Sequence, residues 1–314
     1  YLVIQHMEPD HSASIPAFLK KYPNATVVST AKGFQFMEQF FPEFFAGQGL
    51  PAEQRIVAAN DGVLELGQHS LHFVYAPMVH WPEVMMTYEA TEKILFAADG
   101  FGKFGALDVE EEWTDEARRY YIGIVGKYGP QVQAVLKKAA GLDIQTICSL
   151  HGPVLKENLG FYLEKYDRWS SYRPEESGVV IAYASVYGNT RNAAEYLADV
   201  LQKTVLYDLA RCDKAKAVAD AFRYDRLVLA GITYNGDLFP CMRSYIEGLT
   251  ERNYQNRKVA IIENGTWAPM AGKLILGMFE KSKNLTFTET TVSIKSAMNE
   301  QNKKEIGKLA EELS

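Results

Sequence analysis

The chain has 314 residues, of which 47% are hydrophobic and 23% charged, and a formal net charge of -6. This composition is typical of a globular protein with room for two domains, and it excludes an extensively disordered chain. No apolar run approaches the ~20 residues that cross a bilayer, and no basic segment precedes an apolar core at the start. We therefore expect no membrane association, no secretory targeting and a cytoplasmic location. An acidic balance without a lysine-rich or arginine-rich stripe also argues against nucleic-acid binding.

The three cysteines, Cys148, Cys212 and Cys241, are widely spaced and form no CxxC pair. Their number and spacing predict neither a disulfide framework nor a tetrathiolate metal site. These 314 residues therefore contain no iron module of the rubredoxin type, which needs two such pairs. We interpret the cysteines as core or neutral thiols. Because the sequence starts at Tyr1, inside a strand-like run and without an initiator methionine, we expect further residues before it.

The first half of the chain alternates strand-like runs with helical segments in irregular order, which predicts a mixed α/β domain. Helices are predicted over residues 15–22 and 116–140, and a hairpin closes at Gly67 and Gln68. The polar stretch SSYRPEESG, residues 170–178, predicts a linker, so that one domain covers residues 1–172 and the next residues 178–314. The strand-like runs of this half are YLVIQ, ATVVST, RIVAAN, LHFVYAP, VMMTYE, KILFAAD and IQTICSL.

The second half alternates strictly between apolar strands and helices. Runs rich in valine, isoleucine and leucine, each followed by a helical pattern, predict a parallel sheet that is buried on both faces. Five strands make a doubly wound domain, and ligands of such domains bind beyond the carboxyl ends of the strands. The predicted strands are VVIAYAS, TVLYDL, RLVLAGI, KVAIIEN and FTETTVSI, and the first is followed by a helix over residues 191–202.

A loop of small polar residues, SVYGNT (residues 185–190), follows the first of these strands and opens a helix. Free N–H groups and the dipole at a helix N-terminus favour an anion such as a phosphate. Gly188 lies at the bend, and Ser185, Asn189 and Thr190 can add hydrogen bonds. The alternative is an ordinary turn with Thr190 as the helix cap. The position directly after the first strand favours the phosphate site.

Two further loops at strand ends, TYNGDLF (residues 233–239) and GTWAP (residues 265–269, directly after KVAIIEN), place glycine and asparagine beside an aromatic residue. Such loops let backbone amides approach the edge of a planar heterocycle while the aromatic side chain covers its face. Together the three loops indicate a ligand with a phosphate at one end and a flat ring at the other. The residues predicted to contact it are Ser185, Val186, Tyr187, Gly188, Asn189, Thr190, Thr233, Tyr234, Asn235, Gly236, Asn264, Gly265, Thr266 and Trp267.

These loops resemble those of the flavodoxins, which carry a [ST]-x-[TY]-G-[NH]-[ST] loop after the first strand and ring-contacting loops after the third and fourth. The resemblance covers Gly178 to Ser314 and implies FMN as the cofactor. Because the fingerprint GxGxxG is missing, a nicotinamide dinucleotide is the weaker alternative.

The first half opens with HMEPDH directly after the strand YLVIQ. Pro9 disfavours the helical conformation for Glu8 and pushes it toward an extended one. Alternation along an extended segment would then direct His6, Glu8 and Asp10 to one side. A surface turn could carry the same letters, so this motif needs support from the rest of the chain.

That support comes from three more polar residues that follow apolar strands. His80 follows FVYAPMV, Asp99 follows ILFAA and His151 follows TICSL. A single histidine in this setting is more often a core or capping residue, but the recurrence favours a metal site assembled at one sheet edge. His69 and His72, on the hairpin strand LGQHSLHF, lack that setting, and we assign them structural roles.

In order, these residues resemble the metallo-β-lactamase superfamily, whose motif is HxHxDH followed by His, Asp and His. The chain departs from that motif at Glu8, where the superfamily has its second histidine. A carboxylate in place of an imidazole hardens the site and adds negative charge, which favours iron over zinc. A lactamase-like half with this exchange, fused to a flavodoxin-like half, resembles the flavodiiron proteins, or A-type flavoproteins, over nearly the whole chain.

The resemblance implies a metallo-β-lactamase-like αββα domain, N-terminally incomplete here, followed by a flavodoxin-like five-stranded doubly wound parallel sheet. It implies a di-iron centre in the first domain, with catalytic roles for Asp99 and Glu8. His11 is a variable ligand among family members, and its role stays open. The metal ligands that the resemblance implies are His6, Glu8 and His80 on one iron, Asp10 and His151 on the other, and Asp99 as the bridge.

The same resemblance implies reduction of dioxygen to water, of nitric oxide to nitrous oxide, or both, in a head-to-tail homodimer. Electrons would arrive through FMN from rubredoxin or a similar small carrier. The sequence ranks neither the two gases nor the donors. Two alternatives stay open: a di-zinc hydrolase fused to a flavodoxin module, against which Glu8 argues, and an electron-carrier flavoprotein with an inactive first domain.

Overall fold

A computed structural model describes residues 1–45, 50–201 and 203–314. The chain divides into two compact units, Tyr1–Ser171 and Tyr172–Ser314. Within the described ranges, no helix has both the length and the hydropathy needed to cross a membrane.

The first unit contains two sheets. Three parallel strands form the smaller sheet, in the order β1-β2-β3: β1 (Leu2–Val3), β2 (Val27–Ser29) and β3 (Arg55–Val57). The larger sheet has the order β4-β5-β6-β7-β8 and is antiparallel except for its last pair, which is parallel. Its strands are β4 (Val63–Glu65), β5 (Ser70–Tyr75), β6 (Met85–Glu89), β7 (Ile94–Phe96) and β8 (Thr146–Cys148).

Seven helices accompany these strands in the part of the first unit that is described. Single turns of 3-10 helix occur at Ala52–Gln54 and Gly126–Tyr128. The helices are α1 (Pro9–Ser12), α2 (Ile15–Lys21), α3 (Ala31–Phe40), α4 (Pro42–Phe45), α5 (Trp113–Ile124), α6 (Gly129–Ala139) and α7 (Leu159–Ser170).

The two sheets of the first unit pack face to face. Val28 of β2 lies in one buried cluster with Phe73 of β5 and Met85 of β6. A second buried cluster joins Val27, whose side chain points to the opposite face of β2, to the helices α2 and α3. The strands therefore form a sandwich with helices outside it, which confirms the predicted metallo-β-lactamase-like architecture.

The long helix predicted over residues 116–140 is interrupted. The first part, α5, ends at Ile124, a 3-10 turn follows, and α6 begins at Gly129. Pro130 explains the restart, because proline lacks the N–H that a continuing helix would need and fits only the first turn of a new one. The predicted hairpin is confirmed: β4 and β5 pair antiparallel, and Gly67 at the turn has a φ of 83°.

The second unit contains the predicted parallel sheet of five strands, in the order β10-β9-β11-β13-β14. One short strand, β12, pairs antiparallel with β11 and was not predicted. The strands are β9 (Glu176–Tyr183), β10 (Thr204–Asp208), β11 (Tyr224–Tyr234), β12 (Asp237–Leu238), β13 (Arg257–Asn264) and β14 (Leu285–Ile294).

Helices cover the strands of this sheet, and residues at the centres of the strands, such as Val180 and Leu229, are fully buried. The sheet is therefore apolar on both faces, as the sequence predicts. Helix α8 ends at Val200, whereas the prediction extended to residue 202, and Gln202 lies outside the described residues. The helices are α8 (Asn189–Val200), α9 (Lys214–Arg223), α10 (Pro240–Thr250), α11 (Ala271–Met278) and α12 (Glu300–Leu313).

The segment between the two units is shorter than the predicted linker. Helix α7 ends at Ser170 and strand β9 begins at Glu176, which leaves residues 171–175 as the connection. Glu176 pairs with Tyr224, and the Gly178 N–H donates to Asp225 Oδ1 at 2.9 Å. These bonds draw the polar end of the predicted linker into the sheet.

Candidate metal centre and cofactor cleft

The segment HMEPDH leaves the end of β1 in an extended conformation and then turns into a helix. Glu8 has φ -59° and ψ 138°, as expected for a residue before proline. Pro9 then occupies the first position of α1, which its fixed φ favours. Asp10 therefore lies on a helical turn, and the predicted alternation of His6, Glu8 and Asp10 ends at Pro9.

The loops that carry the other polar residues begin earlier than predicted. Strand β5 ends at Tyr75, five residues before His80, because Pro77 cannot donate to a ladder and Met78 has a φ of 63°. Strands β7 and β8 are parallel neighbours that end at Phe96 and Cys148. Since the carboxyl ends of parallel neighbours meet at one edge, the loops of Asp99 and His151 lie side by side.

Four of the predicted residues form a first cluster: His6, Glu8, His80 and Asp99. His80 Nε2 lies 3.1 Å from Glu8 Oε2 and 3.0 Å from Asp99 Oδ2. His6 Nε2 lies 3.4 Å from Glu8 Oε2, 3.2 Å from Asp99 Oδ2 and 3.2 Å from His80 Nε2. The donor atoms thus face a common point.

A second cluster contains Asp10, His11 and His151. His151 Nε2 lies 3.2 Å from Asp10 Oδ2, and His11 Nε2 lies 3.5 Å from Asp10 Oδ1. The sequence left the role of His11 open, and the structure places its imidazole nitrogen among the other donors. The signal was its position next to Asp10, which puts both side chains on the single turn of α1.

Asp99 faces both clusters with different oxygens. Its Oδ2 faces the first cluster, and its Oδ1 lies 3.1 Å from His11 Nε2 and 3.5 Å from His151 Nε2. The carboxylate is 1% exposed. Both Oδ1 of Asp99 and Nε2 of His11 are buried and have no hydrogen-bond partner among the described residues. Both atoms are therefore available to bind a metal ion.

The donor spacing fits metal ions. With bonds of about 2.1 Å, donors lie about 3.0 Å apart at right angles around an ion and about 3.4 Å apart at tetrahedral angles. The close contacts within the clusters run from 3.0 Å between His80 and Asp99 to 3.5 Å between His11 and Asp10, and all donor atoms of each cluster lie within 4.8 Å of one another. Imidazole and carboxylate donors without sulfur suit iron, zinc or manganese. The residues therefore fit two ions that share Asp99.

A cleft of about 500 Å³ opens at the carboxyl ends of β9, β11, β13 and β14. Its volume lies within the range of small-molecule sites. Thirteen of the fourteen residues predicted to contact a ring and a phosphate line it; the exception is Gly188, the N-cap residue of α8, whose φ of 89° forms the bend. The sequence reasoning missed four lining residues: Ile232, Ala268, Met270 and Ser296.

Two aromatic side chains at the cleft are almost uncovered: Tyr187 is 92% exposed and Trp267 is 89% exposed. Large aromatic rings held in this way are available to cover a flat ligand. Thr190, by contrast, is 1% exposed at the start of α8. The hydroxyl of Thr233 accepts the N–H groups of Met270 and Ala271, so it fixes the entry of α11.

Comparison with known proteins gives a model match for each half. Residues 1–152 match the family described as ODP family beta lactamase, and residues 180–304 match the flavodoxin domain. A diflavin flavoprotein A 1 of Synechocystis sp. is 34% identical over 212 residues, which are 65% of this chain and 36% of that protein. A nitric oxide reductase of Moorella thermoacetica is 27% identical over 288 residues, 88% of this chain and 70% of that protein.

Solved structures share the fold of the whole chain. Rubredoxin oxygen:oxidoreductase from Desulfovibrio gigas superposes with a TM-score of 0.90 at 22% identity, covering 100% of this chain and 80% of that one. The flavodiiron protein from Giardia intestinalis gives 0.88 at 23% identity, covering 100% and 79%. The chain therefore combines a domain of the ODP family beta lactamases with a flavodoxin domain, and its structural neighbours are flavodiiron proteins. It spans about a third to three fifths of the length of the first curated relatives that it matches.

The two clusters together concentrate negative and titratable charge in a buried place. Burial alone would lower the pKa of His11 and of His80, but the close approach and negative charge of Asp99, with the charge of Glu8, raise the pKa of both. Burial would raise the pKa of Asp99, yet the close contacts of its carboxylate with the imidazoles of His11 and His80, and the charge of His6, hold that pKa well below its usual range. Without metal, the imidazoles of His11 and His80 therefore bind protons more readily than free histidines do, and bound cations would replace those protons.

One residue beside the candidate metal centre gave no signal in the sequence. Tyr120, on α5, is buried with its ring centroid 5.5 Å from that of His151. Burial, followed by the charge of Asp99, raises the pKa of its hydroxyl far above its usual range. Helical spacing predicts only a core aromatic at this position, because the approach of α5 to the clusters is a tertiary contact.

Proposed function

We propose that this chain holds two iron ions and one FMN, and that it reduces dioxygen to water, nitric oxide to nitrous oxide, or both. Electrons enter through FMN from rubredoxin or a similar carrier, and the working unit is a head-to-tail homodimer. The observation that carries the proposal is the position of Asp99, which directs one oxygen toward each of two histidine and carboxylate clusters.

The residues divide between the two ions according to the clusters. Asp99 would contact both ions, one with each carboxylate oxygen, and Tyr120, protonated at its hydroxyl, would supply a buried hydrogen-bond donor beside His151. The other ligands are His6, Glu8 and His80 for one ion and Asp10, His11 and His151 for the other.

The charge of the donor set favours iron. With neutral histidines, the carboxylates Glu8, Asp10 and Asp99 together offset most of the charge of two divalent ions, and they stabilise oxidised iron further. When bound, FMN accepts electrons singly or in pairs and an iron pair exchanges them with a small diatomic ligand. The buried setting of Asp99 and His6 excludes water from one side of the centre.

The names of relatives support the reaction class and include both gases. Besides the Moorella protein, an anaerobic nitric oxide reductase flavorubredoxin of Vibrio vulnificus is 26% identical over 284 residues, 85% of this chain and 56% of that protein. The structurally similar Desulfovibrio gigas protein is named for rubredoxin and oxygen. We therefore propose both dioxygen and nitric oxide as candidate substrates.

The test is anaerobic amperometry on the full chain, loaded with FMN and Fe(II), with each gas and a reduced rubredoxin. We expect two iron atoms and one FMN per chain and rapid loss of at least one gas. Protein that takes up two zinc ions with iron available and consumes neither gas would contradict the proposal and favour the hydrolase alternative.

A further inference from the structure

A buried carboxylate outside both clusters contacts the first cluster from behind. Glu83 is 3% exposed and lies between β5 and β6. Its Oε1 lies 2.7 Å from His6 Nδ1 and accepts the Met7 N–H at 2.9 Å. The side chain of His6, which makes this contact, is itself fully buried. One oxygen of Glu83 therefore contacts both the imidazole of His6, a candidate ligand, and the backbone N–H of Met7, which lies between His6 and Glu8.

The backbone of Glu83 is also anchored. Its carbonyl oxygen accepts the hydroxyl of Thr30 at 3.1 Å, and the same hydroxyl accepts the Gly33 N–H at 3.0 Å as the N-cap of α3. Glu83 follows His80 by three residues. It thus connects the segment of His6 and Glu8, the start of α3 and the loop of His80.

The chemistry of this contact concerns the second nitrogen of the imidazole. A histidine that donates its Nδ1 proton to a carboxylate keeps Nε2 free of a proton, with its lone pair available to a metal ion. In His6 that Nε2 is the atom that lies 3.2 Å from Asp99 Oδ2. Without an acceptor at Nδ1, the imidazole could rotate or carry its proton on Nε2, where it would compete with a cation.

Resting on the proposed function, we propose that Glu83 is a positioning residue of the metal centre. Through Oε1 it fixes the tautomer and orientation of His6, and through the Met7 N–H it holds the backbone that carries Glu8. It contributes no atom to the ions. Its role is to present two ligands of the first cluster in the geometry that an ion requires.

Glu89 supplies a matched control. It is also a buried glutamate, at the end of β6. Its Oε1 lies 3.1 Å from a histidine nitrogen, His69 Nδ1, and its carboxylate accepts the N–H groups of Thr91 and Glu92. None of these residues belongs to either cluster. Glu89→Gln therefore removes a comparable buried charge and comparable hydrogen bonds without contacting the metal centre.

The experiment measures metal binding in the full FMN-loaded chain with Fe(II) alone, by anaerobic competition with a chelator. Co(II) alone serves as a spectroscopic probe of the ligand geometry. We expect Glu83→Gln to weaken the binding of one of two ions by about 10- to 100-fold, to alter the visible Co(II) spectrum and to leave FMN content unchanged. Glu89→Gln should leave both metal readouts unchanged.

Parental metal affinity in Glu83→Gln, or an equal loss in Glu89→Gln, would overturn the inference. If Glu83→Gln does not fold, Glu83→Asp decides, because it keeps the charge but cannot reach His6 Nδ1; unchanged affinity and Co(II) spectrum there would also overturn it. A parent that binds two ions but consumes neither gas defeats the proposed function alone, since the affinity comparison still judges Glu83. A parent that binds no metal overturns both.

Discussion

His11 Nε2 lies 3.1 Å from Asp99 Oδ1, but the two buried atoms are not aligned as a hydrogen bond. A buried polar atom without a partner costs about 1–3 kcal/mol. An ion between them would remove that cost for both atoms at once. The contact therefore connects His11, whose role the sequence left open, to Asp99, the residue proposed to bind both ions.

We expect His11→Gln to lose most of its affinity for the second ion and to keep the first, because His6, Glu8 and His80 remain. Elemental analysis after passage over a desalting column should give about one iron per chain. His72→Gln is the matched control, since His72 lies on β5 outside both clusters. Two iron atoms retained with parental affinity would show that His11 is not a ligand.

Asp99→Asn should abolish gas reduction and leave reduction of FMN by the donor intact. The amide has lost the negative charge and one of the two anionic oxygens that face the clusters. The cofactor cleft belongs to the second unit and contains none of these residues. Stopped-flow bleaching of FMN should therefore proceed normally.

In the same variant, reoxidation by a stoichiometric pulse of dioxygen or nitric oxide should slow by orders of magnitude. The reaction of free flavin with dioxygen is the background to subtract. If the variant consumes either gas at the parental rate, the chemistry belongs to the flavin, and the electron-carrier alternative gains support.

Thr190→Ala should weaken FMN binding by about 1 to 3 kcal/mol, because a phosphate oxygen would lose a hydrogen bond in a buried place. Quenching of flavin fluorescence on titration into the apoprotein measures this change. Thr250→Ala, at the end of α10 and away from the cleft, is the control. Equal affinities of the two variants would limit Thr190 to a role in the helix start.

Glu89 should make the free energy of unfolding depend on pH in the acidic range. Burial would raise its pKa, but the N–H groups of Glu92 and Thr91, with His69, lower it from 4.5 to about 2. A carboxylate whose pKa is lower in the folded than in the unfolded state stabilises the protein fully at pH values above its unfolded-state pKa. This stabilisation is lost as the pH falls through the folded-state pKa. Urea unfolding of metal-free Glu89→Gln should show lower stability than the parent at neutral pH.

The gap between parent and Glu89→Gln should narrow between about pH 4.5 and pH 2. Glu65→Gln, an exposed glutamate on β4, is the control and should match the parent throughout. A gap that stays constant with pH would show that the loss comes from packing and not from the charge of Glu89.

The second unit was predictable in detail from the sequence alone. Most of its strands are apolar runs, each followed by a helix, and this local pattern predicts a doubly wound parallel sheet, although it leaves the order of the strands open. The loop residues around Gly188, Tyr234 and Trp267 follow from the same rule, because ligands bind where parallel strands end. Ser296 was missed although β14 ends at the same edge of the sheet, where Asn264 holds it by two hydrogen bonds.

Most residues of the candidate metal centre could also be proposed from the sequence, since His80, Asp99 and His151 each follow an apolar run and their order after HMEPDH matches a known motif. Only the tertiary structure decided how they divide. Whether His11 joins the donors, which oxygen of Asp99 faces which cluster and that Glu83 holds His6 all depend on sheet edges brought together from distant parts of the chain. Local periodicity carries no information on such contacts, because the packing of the two sheets and of α5 sets these distances.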